Sequence, residues 1–414
     1  IMELLEGRVG NLTPEQESKL IEMWAVVLRR CGSHSPSPGG GNDATDSSPK
    51  EAPMTDQTAN SKVAEMSPEE IRSALWAMVQ AEHPDGLFLR FLRARKWDVD
   101  KAVTMLVATL QWRTKVMHVE EILRDGEGLA LEEESSTGDS ATQRRGKDFM
   151  FQMRAGKCIV RGVDKSGRPV CIVRVRQHFQ RDQSEEVLKR WVVYVIETAR
   201  LAITPPCDTA ALIFDLTGFG MGNLDYVLVK FIIECFEANY PEMLGKVMVH
   251  KAPWIFTGIW KLVSTWIADP VIANKISFTA NTKELSQYID PEGLPKELGG
   301  KDPWEYSYVE PITDENAKMR DTVTKEQLLA ARAVLEKEFE EATRQWISKP
   351  KDEDTKTRRN ELAARIIKEN YWQLDPYIRA RSLWDRIGMR TPEGDINYFP
   401  EKTTHGNGNG KGSA

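Results

Sequence analysis

Hydrophobic positions along this chain fall into three regimes. From residue 12 to about 115 they recur every three or four residues, the spacing of one face of a helix. Between residues 158 and 279 short continuous apolar runs alternate with helical stretches. After about residue 310 the helical spacing returns, set among many charges.

The first regime opens with an amphipathic helix over 12–28. Thr13, Pro14 and Gln16 form its capping box, with Pro14 at the first helical position. Residues 31–64 are rich in Ser, Pro, Gly, Asn and Asp, and are expected to be a disordered linker because they offer too little apolar surface to offset ordering. Ser67, Pro68 and Glu70 repeat the capping grammar, and helices are predicted over 68–80, 85–96 and 98–115, with Asp85 and Asp98 as N-caps of the second and third. The middle helix mixes Leu87, Leu89, Phe91 and Leu92 with Arg90, Arg93, Arg95 and Lys96, which gives the lobe a basic edge. Residues 126–147 are polar and are expected to be mobile.

In the second regime, 158–163 and 170–175 read as strands joined by the turn Asp164-Lys165-Ser166-Gly167. A helix is predicted over 185–203. Residues 210–216 (AALIFDL) form a continuous apolar run, as in a strand buried on both faces of a parallel sheet. A helix over 223–239 and strands over 246–250 and 275–279 follow. Alternation of strand and helix implies an α/β sheet with crossover helices. Between the last two strands lies HKAPWIFTGIWKLVSTWIADPVIANKI (250–276), the densest concentration of large apolar side chains, interrupted by Lys261. No run reaches the roughly 18 apolar residues of a membrane span.

The third regime predicts a helix over 324–347, opened by a Thr324/Gln327 box and striped by Leu328, Ala331, Leu335, Phe339, Ala342 and Trp346. A second helix over 361–371 is expected to pair with it, and LDPYIRARSLWDRIG (374–388) follows. The divisions expected are a helical segment (1–30), a linker (31–64), a helical lobe (65–125), an α/β domain (148–310), a helical extension (311–400) and a tail (401–414).

Composition narrows the chemistry. Lys and Arg number 56 against 62 Asp and Glu, a net charge of −6, which argues against nucleic-acid binding. The five cysteines at 31, 158, 171, 207 and 235 are scattered, as in a reducing compartment, and IMELLEGRVG at the start has no signal-like pattern, so a cytoplasmic location is expected. Neither Cys nor His shows metal-ligand spacing, and no nucleophile elbow or phosphate loop occurs. Gly218, Gly220 and Gly222 stand where a dinucleotide loop would start, but Asn223 occupies the place of the third required glycine, so a plain strand-to-helix turn is expected. His178 and His250 read as core or edge histidines, since no Ser or Cys nucleophile has a visible partner.

FLRFLRARKWDVDKAV (88–103), the long run from Asp215 to Ile276 and LPKELGGKDPWE (294–305) together resemble the CRAL-TRIO lipid-binding family, and more closely its fungal phosphatidylinositol-transfer branch. The resemblance covers roughly residues 65–310. LDPYIRARSLWD is similar to the C-terminal extension of a fungal subgroup lacking choline-lipid binding. The resemblance implies an α/β fold: an N-terminal helical lobe, a mostly parallel sheet flooring a large apolar pocket, a gating helix over its mouth, and here a C-terminal helical extension. Residues 254–268 fall at the gate, so Ile255, Phe256, Ile259, Trp260, Leu262, Val263 and Trp266 are expected to line or cover the pocket. The headgroup residues implied are Arg95 and Lys96, Glu242 after Tyr240-Pro241, and Lys275 beyond Asp269-Pro270. Ile272 stands where the family has a threonine. Ala210, Leu212 and Phe236 replace the hydroxyl side chains of choline-lipid binders, so phosphatidylcholine is expected to bind poorly.

The resulting expectation is a monomeric, non-enzymatic protein, peripheral to membranes, that needs no cofactor beyond its bound lipid. It carries phosphatidylinositol and presents it to lipid kinases, touching membrane surfaces transiently and binding no nucleic acid. The alternatives are a sensor of a neutral hydrophobic ligand such as a sterol or squalene-like isoprenoid, and an oxidoreductase or haem carrier.

Overall fold

A computed structural model describes residues 5–32 and 66–401. The expected linker lies almost wholly outside these residues, as does the tail beyond residue 401.

Four helices build the first lobe: α1 (Pro14–Arg30), α2 (Pro68–Val79), α3 (Pro84–Ala94) and α4 (Val99–Gln111). The capping boxes at Thr13 and Ser67 are both formed, and Asp98 caps α4. Asp85 is not a cap. Pro84 takes the first helical position, His83 Nδ1 accepts from the Asp85 N–H, and the Asp85 carboxylate turns into the core. There it accepts from Trp24 Nε1 (2.7 Å) and from both terminal nitrogens of Arg359 (2.7 and 3.0 Å).

Most of residues 126–147 is helical. They complete α5 (Val119–Glu134), kinked at Gly126, and begin α6 (Ser140–Ala155). Two of the glycines in this stretch are packing points. A Cβ on Gly146 would stand 2.3 Å from the Glu134 nitrogen and 2.5 Å from the Ala130 oxygen, so Gly146 lets α6 press directly against α5. Ala380 limits Gly126 in the same way.

The sheet comprises β1 (Cys158–Val163), β2 (Pro169–Arg174), β3 (Ala210–Asp215), β4 (Leu244–His250) and β5 (Ile276–Thr279), in that spatial order. The β1–β2 pair is antiparallel, and the remaining pairs are parallel. Parallel neighbours require crossovers. These are α7 (Glu185–Arg200) between β2 and β3, α8 (Tyr226–Glu234) between β3 and β4, and α9 (Phe256–Val263) with α10 (Pro270–Lys275) between β4 and β5. Lys275 therefore ends a helix instead of opening a strand. Ile159, Ile172, Ile213 and Met248 are fully buried and belong to one core with Leu285 of α11 (Thr282–Leu285), Ile289, Leu294 and Leu298.

The extension consists of α12 (Thr322–Ser348), α13 (Glu353–Ala364), α14 (Trp372–Ile378) and α15 (Leu383–Arg386). Asp321, not Thr324, caps α12 by accepting from the Thr324 N–H. Leu335, Phe339, Ala342 and Trp346 of α12 and Leu362, Ala363 and Ile366 around α13 share one hydrophobic core with α1–α4. α1, the helical lobe and the extension thus share one core. Further along, Arg386 pairs with the buried Glu127, which also accepts from Tyr194 (2.8 Å) and Tyr308 (2.6 Å), and this fastens the chain end to α5 and α7.

Two further buried ion pairs join these layers, and both yield predictions. Removing one partner of a buried pair strands the other charge, so Arg359→Ala is expected to lower unfolding free energy by about 3–5 kcal/mol in urea titrations; a loss below about 1 kcal/mol contradicts the packing described. Glu197 on α7 pairs with Arg113 and accepts from Gln80 (3.0 Å). Burial would raise its carboxyl, but Arg113 and Arg200 outweigh that and hold it at about 2, below the ordinary 4.5. Its stabilisation is complete above pH 4.5 and is lost as pH falls toward 2. Glu197→Gln should therefore flatten the loss of stability between pH 4.5 and 3, measured by urea unfolding at each pH.

Candidate functional site

Side chains alternate across the strands. With Ile172 and Ile213 turned one way, Cys171, Val173, Leu212 and Phe214 point the other way, toward the crossover helices. They do not meet those helices in close packing. A cavity of about 200 Å³ lies between, walled by Trp191 of α7, Val229, Ile232 and Ile233 of α8, and Phe236 just beyond. A second chamber of about 100 Å³ lies beside it and shares Val173, Trp191, Leu212, Phe214, Ile232, Phe236 and Leu244. Leu212 and Phe236 line both chambers, and Ala210 lines the second. Among the described residues none after Ile276 lines either, so the described C-terminal helices do not line these chambers.

The roof is α9. Phe256, Ile259, Trp260 and Val263, spaced i, i+3, i+4 and i+7, face the cavity, and Ile272 of α10 adds to this wall. Ile267 also lines it, whereas Trp254, Ile255, Leu262 and Trp266 of the predicted gate do not. Trp254 is 88% exposed, Leu262 43% and Ile255 36%, so all three point outward. Trp266 stacks edge-on against Tyr226 (5.5 Å between centroids) under Lys230. The helix is shorter than predicted, ending at Val263, with a 3₁₀ turn over Ser264–Trp266. Its outward positions are Thr257, Gly258, Lys261 and Leu262, and Trp254 and Ile255 stand exposed just before the helix. Phe278, itself exposed, packs its ring against Trp260 (5.1 Å).

At the N-terminal edge of the parallel strands stands an ion pair. Lys275 Nζ lies 3.3 Å from Glu242 Oε2, both side chains largely buried. Pro241 precedes Glu242, which adopts φ +56, a conformation uncommon outside glycine and often retained at functional sites. The Glu242 carbonyl accepts from Arg90 Nη1 (3.1 Å), which also donates to the Asp208 carbonyl, while Arg93 Nη2 reaches the Asp208 carboxylate (2.7 Å). The guanidiniums that hold this corner are therefore Arg90 and Arg93, which spacing had assigned only to a basic edge. Arg95 caps the end of α3 and donates to the Ala94 carbonyl. Lys96 is exposed, and no contact ties either to Glu242 or Lys275. Asp269 is committed to the backbone: its side chain caps α10 through the Val271 N–H, and its own N–H donates to Glu237.

Of the other candidates, the loop at Gly218 is a turn whose Asn223 side chain secures the carbonyls of Arg176 and His178. His250 is buried against Thr279 Oγ1 (2.9 Å). His178 lines the cavity, as do Lys157 and Asp225, three polar residues that the sequence patterns did not single out as a site. Among the described residues no group of His, Cys, Asp and Glu has the geometry of a metal site, and no helix is long and apolar enough to cross a membrane.

The orientation of α9 makes a direct prediction. Ile259→Ala should destabilise the protein by about 2–4 kcal/mol, and Trp254→Ala by less than about 0.5 kcal/mol, in parallel unfolding experiments. Equal effects would contradict the burial of Ile259 and the exposure of Trp254.

Comparison with known proteins agrees with this architecture. The CRAL/TRIO domain matches residues 153–300 and the CRAL/TRIO N-terminal domain residues 60–108. A CRAL-TRIO domain-containing protein of Schizosaccharomyces pombe is 42% identical over 344 residues, 83% of this chain and 74% of that protein. The phosphatidylinositol transfer protein CSR1 of Eremothecium gossypii is 41% identical over 322 residues, 77% of this chain and 71% of that protein. Protein real-time of Anopheles gambiae is 32% identical over 232 residues, 53% of this chain and 32% of that protein. With both domain matches colinear and two fungal relatives aligned over most of their length, the chain belongs to the CRAL-TRIO family.

Proposed function

We propose that this protein binds phosphatidylinositol in the chamber beneath α9 and exchanges it between membranes, presenting it to lipid kinases, as a carrier and not an enzyme. The observation that carries this reading is the roof segment 254–263, in which Phe256, Ile259, Trp260 and Val263 cover the cavity while Trp254, Ile255 and Leu262 are exposed to solvent. Two acyl chains hold roughly 30 methylenes, and at about 0.8 kcal/mol each their exposure to water costs on the order of 25 kcal/mol. A carrier must shelter both chains in transit and open only against a bilayer. Trp254, Ile255 and Leu262 suit contact with acyl tails, while Lys261 extends to the headgroups. The phosphatidylinositol-transfer activity printed in the name of the Eremothecium relative supports the same reading.

In this reading Lys275 meets the phosphate and Glu242 accepts from inositol hydroxyls, exchanging part of their mutual contact for the ligand. Arg95 and Lys96 complete the site by reaching the headgroup from α3. The apolar floor formed by Ala210, Leu212 and Phe236 leaves a buried choline phosphate without partners, so phosphatidylcholine is a poor ligand. That same floor favours, as a second reading, a sensor that holds a neutral hydrophobic ligand and docks partners.

Transfer of labelled phosphatidylinositol between vesicles tests the proposal. The wild type should transfer it at least tenfold faster than phosphatidylcholine, and Lys275→Ala should lower the phosphatidylinositol rate about tenfold with an unchanged melting temperature. Unchanged transfer by Lys275→Ala would overturn the headgroup assignment, and no transfer by the wild type would overturn the function.

A further inference from the structure

A groove of about 480 Å³, larger than either chamber beneath α9, lies where the α/β domain meets the extension. One wall is the stretch 304–312, which follows the last strand without joining the sheet. Leu383 of α15, Ile387 just after it, Pro400 and Glu401 supply the rest of the lining. None of these residues lines either chamber.

The wall at 304–312 is pinned by alternate side chains. Trp304 and Tyr306 meet edge-on with centroids 6.2 Å apart, as residues two apart do on one side of an extended chain. Arg161 packs on the Trp304 ring (5.0 Å), Tyr306 Oη donates to the Met153 carbonyl, and Tyr308 Oη donates to Glu127 (2.6 Å). Glu305 and Ser307, between these anchors, are exposed. The backbone is thus held firmly at the surface. Among the described residues, the N–H and C=O groups of Tyr306, Ser307 and Tyr308 make no hydrogen bond to other backbone. An extended chain with open backbone groups is a template for a further strand. The charge of the groove is one-sided. Glu305, Glu310 and Glu401 line it, with no Lys or Arg. Arg154 and Arg386, which touch its wall, are each shared by two glutamates: Arg154 by Glu134 and Glu310, Arg386 by Glu127 and Glu315.

We infer that this groove docks an extended, cationic segment of a partner protein, which adds as a strand beside residues 304–310. Its backbone pairs with the open groups of 306–308, and its Lys or Arg side chains meet the glutamates of the rim. At about 3.3 Å per residue the seven residues of this wall span roughly 20 Å, room for a strand of ordinary length. Leu383 and Ile387 offer apolar contact to every second side chain. An acidic segment would be repelled by the rim, and a helix would leave the backbone edge unpaired. The inference goes beyond the lipid reading and does not rest on it, since groove and chambers share no residue.

Fluorescence polarisation with the full chain tests it. The labelled probes are Lys-Val-Lys-Val-Lys-Val-Lys, the same peptide with Glu for every Lys, and its fully N-methylated form. The cationic peptide is expected to bind about tenfold tighter than either of the others. Ser307→Trp, which fills the groove from an exposed position, and Glu401→Lys should each weaken its binding about tenfold. The N-methylated probe needs no variant, so poor folding of Ser307→Trp does not blunt the test. Binding that survives N-methylation or Ser307→Trp would be plain attraction to a chain of net charge −6 and would overturn the inference. Absence of binding would overturn it too. Recovery of binding on removal of residues 402–414, which continue from Glu401, would give the groove to the chain's own end instead of a partner. Phosphatidylinositol transfer by the same preparation reports the lipid reading separately.

Discussion

Because successive parallel strands are added in one direction from β2 to β5, right-handed crossovers all fall on the same face of the sheet. The rest of the architecture depends on this constraint. One face receives α7, α8 and α9, and the opposite face is sealed by the chain after β5. Three crossovers bridging short strands do not pack down onto every floor side chain, and Leu212 and Phe214 are left facing open space. Protein interiors are otherwise close-packed, and an unfilled cavity costs about 24 cal/mol per Å³. For a chamber of about 200 Å³ the cost is on the order of 5 kcal/mol, which an apolar guest would offset.

The last crossover differs from the other two. α7 is held by the buried Glu197–Arg113 pair and α8 is flanked by α7, whereas α9 has the sheet edge on one side and solvent on the other. Its covered stripe is formed by Phe256, Ile259, Trp260 and Val263, while Leu262, with Trp254 and Ile255 just before the helix, is exposed. In the proposed function these three exposed apolar side chains are the part of the roof that meets a bilayer. The polar groups stand at the two ends of the strands, where backbone loops can position them, and the apolar length between them matches an acyl chain rather than a small metabolite.

Much of this was legible in the sequence. Capping boxes placed the first helices, the apolar run 210–216 placed the central strand, and the density of Trp and Ile marked the roof. Local patterns failed where tertiary contacts decided. Asp85 looks like a cap but is drawn inward by Arg359, 274 positions away. Gly126 and Gly146 look like loosening elements but are contact points between helices. The apolar run of 254–266 extends past both ends of α9, so Trp254, Ile255 and Trp266 lie outside the helix and its spacing does not place them. Lys157 and His178 left no signal because single polar residues beside strands usually lie on the surface; only the three-dimensional wall brings them together.

The central claim is that the space beneath α9 carries one phospholipid per chain. Native mass spectrometry of the protein after incubation with vesicles containing equal phosphatidylinositol and phosphatidylcholine tests it most directly. The account predicts a one-to-one adduct with the mass of phosphatidylinositol and little or no phosphatidylcholine. A chain that emerges without bound lipid, or bound to phosphatidylcholine in preference, would contradict it.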